Sequence, residues 1–313
     1  MVPASDEPRA SLICNPEDQG SRLDSFLRRQ LPHLSRRAVR ELIASGKVLV
    51  DGRPAPKGVR LTGGERIDVP SRIAHSQHLA PNPDLAVPIL YEDPYLVAVD
   101  KPSGISSVAL RPYERFTVAN FLLARYPEMG DLSPLGLEAG LVHRLDRNTS
   151  GVLLAARTRF VRDFLAAEFG HGRVSKGYWA LVHGRVPRGG VVDLPLQHDP
   201  ADRRKIRIAP TGSAGRVART RYDPLQWFGD AYTLLWVEIT TGVMHQIRAH
   251  LASIGHPILG DALYGGQPLS LRRHFLHAAR ISFTHPHLLS PLTVEAPLPT
   301  ELRTFLRSLH SPD

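Results

Sequence analysis

Apolar positions recur at helical spacing twice near the start of the chain. Leu23, Phe26 and Leu27 line one face of a helix predicted over Arg22 to Gln30, and Val39, Leu42 and Ile43 do so over Arg36 to Ala44. Ser35 suits the N-cap of the second helix and Gly46 its C-terminal stop. Val48-Leu49-Val50 then reads as a strand, Asp51-Gly52 as a tight turn, and Glu65 to Val69 as a returning strand. The stretch before this pattern, residues 1–18, is polar and proline-containing and is expected to be a loose leader. The stretch from Pro70 to Pro88 has little periodicity and reads as a linker.

From Ile89 onward strands and helices interleave. Tyr95 to Val99 predicts a buried strand closed by the turn residues Lys101-Pro102-Ser103-Gly104, and Val152 to Ala156 another, with a helix following from Arg159 to Phe169. Tyr178 to Val182 and Tyr232 to Thr240 read as strands, the latter placing Thr233, Leu235, Val237 and Ile239 on one face. His245 to Ser253 reads as a helix ended by Gly255 and Pro257. The order lacks the regular βαβ alternation of a doubly wound sheet, so the fold class is α+β. The expected domains are a leader over 1–18, a small domain over 19–70, a linker over 71–88 and a large domain over 89–313.

Lysine and arginine exceed aspartate and glutamate by nine in a chain of 313 residues. That excess favours a polyanionic partner, because phosphate neutralisation releases counterions. Cys14 is the single cysteine, which excludes an internal disulfide and a cysteine-rich zinc site and suits a reducing cytoplasm. No apolar run approaches the roughly 20 residues of a membrane helix, and the first residues, with Asp6 and Glu7, do not form a secretory signal. A cytoplasmic protein with no membrane partner is expected.

Two clusters depart from this bland background. His143, Arg144, Asp146, Arg147, Asn148, Thr149 and Ser150 crowd in front of an apolar strand, where so many hydrogen-bonding groups either face a cleft or make an exposed turn with an Arg–Asp pair. His245, Gln246, Arg248 and His250 gather on the helix after Thr240, where a fixed helix can aim the Arg248 fork at a carboxylate. Five residues separate the two histidines, so a shared metal is a weak reading and hydrogen bonding within the fold the stronger one. Tyr178, after Lys176-Gly177, is open to two readings: an ordinary core ring, or a flat face for a nucleobase. Arg28, Arg29, Arg36, Arg37 and Arg40 form either a solvated surface or a phosphate-contacting patch, and Arg36 and Arg40 share a helix face.

HRLDRNTSG at 143–151, DKPSG at 100–104, KGYWALVHG at 176–184, HQIRAHLASIGHPILGDALYG at 245–265 and HFLHAARISFTHP at 274–286 together resemble the ordered signatures of the RluA family of pseudouridine synthases. SRLDSFLRR, LSRRAVRELIASGKVLVDG and GGERIDV within 21–69 are similar to a small RNA-binding domain known from a ribosomal small-subunit protein. The resemblance implies a pseudouridine synthase fold: a mixed, largely antiparallel central sheet with flanking helices, plus a small N-terminal α/β RNA-binding domain. It implies an isomerase converting uridine to pseudouridine in RNA, with Asp146 essential, Tyr178 stacked on the uracil, and Arg248 bidentate on Asp146. Arg144 would fill the space left by the flipped base, and His143, Arg36, Arg37 and Arg40 would join it in binding substrate. The expected partner is ribosomal RNA of the large subunit, or a pre-ribosomal particle, acted on by a monomer without metal or cofactor.

The chain departs from the family pattern at Val243-Met244, where Arg-Thr is usual, at Asn148, at Ser106-Ser107 and at Gln197-His198. None removes Asp146, Tyr178 or Arg248, but Val243 and Gln197 bear on which RNA is used. The alternatives are the same chemistry on transfer RNA, a non-catalytic RNA-binding or ribosome-assembly factor on a synthase fold, and, more remotely, a metal-dependent nuclease or phosphatase, for which a lone carboxylate is too few ligands.

Overall fold

A computed structural model describes residues 8–31, 34, 36–56, 58–71, 79–111, 114–130, 132, 137–267 and 271–309. The chain divides into two compact units. One comprises Met1–Ala80, Ala109–Arg115 and Ser133–Leu137; the other comprises Pro81–Val108, Phe116–Leu132 and Glu138–Asp313.

The first unit runs β1 (Arg9–Ile13), α1 (Leu23–Gln30), α2 (Arg36–Ala44), β2 (Leu49–Val50), β3 (Arg53–Pro54) and β4 (Arg66–Pro70). Its antiparallel sheet has the order β1-β4-β2-β3. The helical periodicity holds: Phe26, Leu27 and Val39 are buried against Val48, Ile67 and Val69. Asp51 and Gly52 both have positive φ, 49° and 78°, as a primed hairpin turn demands. They close β2 onto β3, so the returning strand β4 reaches β2 after a longer excursion. Gly46, at φ 69°, ends α2. Ser35 and the linker residues 72–78 lie outside the described residues.

The expected leader over 1–18 is corrected at Arg9–Ile13. These residues pair along the whole of β4, from Arg9↔Pro70 to Ile13↔Arg66. Ala10 and Leu12 pack on the core, and the Ser11 hydroxyl donates to Asp68 Oδ1 at 2.6 Å. A five-residue strand with only two inward side chains leaves too faint a period-2 signal to stand out among charged neighbours.

The second unit runs β5 (Ile89–Glu92), β6 (Leu96–Lys101), α3 (Val118–Arg125), β7 (Ser150–Ala156), α4 (Arg159–Gly170), β8 (Ser175–His183), β9 (Gly190–Asp193), β10 (Leu196–His198), β11 (Ile206–Ile208), β12 (Arg219–Phe228), β13 (Tyr232–Ile239), α5 (Gln246–Ser253), β14 (Leu276–Thr284), β15 (Pro291–Glu295) and α6 (Thr300–Ser308). Nine strands form one sheet in the order β5-β6-β7-β14-β8-β13-β12-β9, with β15 beside β14, and β10 and β11 form a separate hairpin. Among the described residues every pairing of these named strands is antiparallel except β7 with β14, which meet in parallel over His277↔Ser150 and Ala278↔Gly151. The fold is therefore mixed and largely antiparallel.

All seven residues of β7 are buried, which accounts for its unbroken apolar run. Leu96, Ala98, Val152 and Leu154 pack with Val161 and Leu165 of α4 and with Ile281 of β14. The Thr158 hydroxyl caps α4 by accepting from Val161 N. Gly151 is forced by the parallel seam: at φ 115° a Cβ there would stand 2.1 Å from the Ala278 carbonyl oxygen. Among the described residues no helix is long and apolar enough to cross a membrane.

Candidate active site

The loop entering β7 carries Asp146 and is held from two sides. Ser107 Oγ donates to Leu145 O at 2.9 Å and accepts from Leu145 N at 3.0 Å. The Lys101 ammonium, wholly buried, donates to Pro102 O, Ile105 O and Arg147 O at 2.8–3.1 Å. Desolvation, reinforced by the Arg273 charge, pulls its pKa down to about 7. Arg147 Nε donates to Gly104 O and Gly104 N to Arg147 O. On the other side Thr149 N donates to Asp146 O, and the Thr149 hydroxyl bonds His274 Nε2 at 2.8 Å. Burial, then the Arg248 charge, lowers the His274 pKa to about 4, so its ring is neutral.

Asp146 and Arg248 are brought together as expected, but the fork is used differently. Arg248 Nη1 donates to Asp146 Oδ2 at 2.8 Å. Its bidentate partner is Asp261, which accepts from Nε at 2.6 Å and from Nη2 at 2.8 Å. The expectation of a bidentate Arg248–Asp146 pair is thus corrected: two carboxylates flank one guanidinium, and the fully buried one takes two of the three bonds. The geometry leaves one Asp146 oxygen outside the ion pair.

His245 supplies a second neighbour, with Nε2 at 3.6 Å from Asp146 Oδ2. It sits just before α5 in the left-handed region, at φ 54° and ψ 19°, a conformation that costs a non-glycine residue of order 1–3 kcal/mol and gathers at functional sites. Burial alone would raise the pKa of Asp146, but at the low pH where it titrates the His245 imidazolium and the Arg248 charge outweigh burial and hold the carboxyl below its ordinary range. Asp146 is therefore a mostly buried carboxylate kept ionised.

Tyr178, on β8, reaches the same cleft of about 70 Å³, lined also by Arg144, Leu145, Asp146, Thr149, Val243 and Arg248. Burial first, and then the Asp146 charge, pushes its pKa well above 10, so the phenol stays protonated. The strand's approach depends on Gly177, where a Cβ would stand 2.2 Å from the Trp236 ring. Arg144 is exposed at the rim of the cleft.

Of the other expected substrate-binding residues, His143 belongs to the same unit but does not line this cleft, and Arg36, Arg37 and Arg40 belong to the first unit. His143 turns inward: its Nε2 accepts from Leu154 N at 3.0 Å and its ring stacks on Phe169. Desolvation, then the Lys176 charge, lowers its pKa to about 3, as fits a neutral acceptor. It helps hold β7. Arg36 and Arg40 are exposed on α2 in the first unit; the side chain of Arg37 lies outside the described residues.

Sequence reasoning missed Asp261 and weighed His245 only as a metal ligand or capping group. Asp261 had a faint signal, an acidic residue alone in the apolar, glycine-rich run PILGDALYG. The left-handed backbone of His245 had none. The weak metal reading of His245 and His250 gains no support from geometry, for His250 is enclosed between Thr220 Oγ1 and Leu194 O. Among the described residues no group of three potential metal ligands comes together.

Comparison with known proteins identifies the family. Residues 95–253 match the RNA pseudouridylate synthase family, and residues 21–67 match the S4 domain. The chain is 40% identical over 312 residues to a protein of Chloroflexus aurantiacus described as an uncharacterized RNA pseudouridine synthase, covering 95% of this chain and 93% of that one. It is 34% identical to the ribosomal large subunit pseudouridine synthase D of Xanthomonas campestris, covering 93% of this chain and 89% of that one. Human RNA pseudouridylate synthase domain containing 4 superposes with a TM-score of 0.56 at 25% identity, over 72% of this chain and 95% of that one.

Proposed function

Because the chain belongs to the RNA pseudouridylate synthase family and carries an RNA-binding S4 domain, we propose that Asp146 is the carboxylate with which it isomerises uridine and that its substrate is large-subunit ribosomal RNA. The observation that carries the first part is the ionised Asp146 in a cleft shared with Arg248 and Tyr178. The second part is supported by relatives of nearly equal length whose names specify the ribosomal large subunit. The reading extends to a monomer working in the cytoplasm, the reducing compartment that the single cysteine suits.

The reaction breaks the bond between uracil N1 and ribose C1′ and forms one from C5 to C1′; a proton leaves C5 and one is gained at N1. Positive charge develops at C1′ as the base departs. Whether Asp146 adds to C1′ or removes a neighbouring sugar proton, it must begin ionised, and Arg248 and His245 secure that state. The uridine must first leave the RNA stack, at a cost of a few kcal/mol. Tyr178 offers its ring to the flipped uracil, and Arg144, at the rim, a flat guanidinium for the vacated space. The Asp146 charge is one reason the Tyr178 phenol holds its proton. Once that charge is spent at the sugar, the phenol gives up its proton more readily, and the phenolate so formed can take the proton that has to leave C5, balancing the one gained at N1.

Asp146→Asn tests the assignment. Pseudouridine formation in a single-turnover assay should vanish while RNA affinity changes little, and substantial turnover would overturn it. Mapping pseudouridines in total RNA after deletion of the gene tests the substrate: sites should disappear from large-subunit ribosomal RNA, and loss from transfer RNA instead would reassign it.

A further inference from the structure

A line of hydrogen-bonding groups leads away from Asp146 to a basic hairpin. His245 Nε2 lies 3.6 Å from Asp146 Oδ2, and the other ring nitrogen, Nδ1, lies 3.1 Å from the Tyr264 hydroxyl. That hydroxyl in turn accepts from Ile206 N, on β11, at 2.8 Å. One tautomer of His245 lets the line run continuously. Ile206 N can only donate, so the Tyr264 proton is free to go to Nδ1, which must then be bare, and the imidazole hydrogen sits on Nε2, facing the carboxylate. A neutral ring is needed for this, and burial of His245, opposed by the Asp146 charge, does depress its pKa.

Each link is fixed by packing. His245 is pinned in its left-handed conformation. The Tyr264 ring lies under the Arg248 guanidinium, 5.1 Å from Cζ to centroid, and edge-on to His245. Ile206 is buried with Leu196, Ala218 and Ala249, against Val243, Met244 and Tyr264. The hairpin side of this packing carries Arg203 and Arg207, both exposed, suited by charge and position to an RNA phosphate.

We propose that Tyr264 and His245 form a positioning relay that ties the orientation of the Asp146 carboxylate to the seating of the β10–β11 hairpin, so that RNA held on the hairpin is registered at the reacting group. This rests on the reading of Asp146 as the catalytic carboxylate. Neither relay residue needs to touch the uridine; both act through Asp146. Val243 and Met244, where this chain departs from its family, pack against the same hairpin, so the relay is where such departures reach the chemistry.

The test is a double-mutant cycle read by the single-turnover rate constant at saturating RNA, with RNA affinity measured separately. His245→Asn suits the left-handed backbone and keeps a group near the Nδ1 position, but cannot reach Asp146. Tyr264→Phe keeps the ring over Arg248 and removes only the hydroxyl. Tyr264→Phe loses one hydrogen bond, and His245→Asn loses the ring N–H that faces the Asp146 charge from 3.6 Å; each should lower the rate constant about ten-fold, with affinity within about two-fold. The double variant should be no slower than His245→Asn alone, because one chain can be broken only once. Multiplying losses, or a Tyr264→Phe rate equal to that of the unchanged protein, would overturn the relay. Should His245→Asn fail to fold, Tyr264→Phe decides alone, since a merely structural role would not lower the rate at unchanged affinity. Asp146→Asn run alongside separates the two readings. Turnover there sinks the parent assignment, whereas no turnover there together with multiplying losses sinks only the relay.

Discussion

Arg248→Lys probes the centre of the site most sharply. The guanidinium makes three bonds to two carboxylates, one to Asp146 and two to Asp261. A lysine ammonium carries three donors on one nitrogen and cannot span both acceptors, so at least one carboxylate is left without its partner. Asp261 is 2% exposed, and breaking a buried pair costs about 3–5 kcal/mol, which lowers the melting temperature by roughly 6–20 °C in a domain of this size. If the ammonium follows Asp261, Asp146 gives up a charge-assisted bond of about 1.5–3 kcal/mol, or roughly ten- to a hundred-fold in rate. The assay is single-turnover release of tritium from RNA labelled at uridine C5, with melting followed in parallel. Asp261→Asn should lower stability in the same way while leaving the Asp146 bond in place, so its rate loss should be smaller. An Arg248→Lys variant with a rate and a melting temperature near those of the unchanged protein would refute the reasoning.

Three further outcomes are expected. Gly151→Ala places a methyl against the Ala278 carbonyl; soluble yield and melting temperature should fall sharply, and an unperturbed melt would deny that the seam is tight. Arg36→Ala with Arg40→Ala should reduce the slope of log affinity against log salt by about 0.7–0.9 for each phosphate that is no longer neutralised, and an identical slope would make the α2 arginines a solvated face. His274 and His277 are buried neutral, with pKa values lowered to about 4 by burial. The unfolded chain protonates them below pH 6.5 and the folded chain does not, so stability is full above that pH and declines from 6.5 towards 4. At pH 5 the loss is about 2 kcal/mol for each ring. Urea melts at pH 7 and pH 5 measure it, and a His277→Gln variant that keeps the full decline would remove that ring from the account.

Much of this was legible in the sequence because it is written locally. The α4 periodicity, the continuous apolar run of β7 and the turn at Asp51-Gly52 each occupy a dozen residues or fewer and carry their own signal. Arg9–Ile13 was hidden because only Ala10 and Leu12 mark its buried side. At the site, Asp146, Tyr178 and Arg248 could be singled out by motif. Which carboxylate receives the two parallel bonds of Arg248 is decided by partners 13 and 102 residues away in sequence, and nothing local distinguishes them. His143 shows the opposite failure. A polar neighbour of Asp146 suggested substrate contact, yet its ring accepts a backbone hydrogen bond from Leu154 N, where a buried acceptor stabilises the strand.

The narrow parallel seam between β7 and β14 has a consequence for biogenesis. It is a junction of two blocks: the earlier part of the unit supplies Asp146, the later part supplies Tyr178, Arg248 and Asp261. Until these meet over Ser150 and Gly151, Asp146 has no guanidinium beside it and behaves as an ordinary exposed carboxylate. A chain released early from the ribosome, or one whose second block has not yet formed, is thus chemically silent towards RNA even while its S4 domain is available to bind. On the proposed role of Asp146, the site is complete only once the two blocks have docked along this seam.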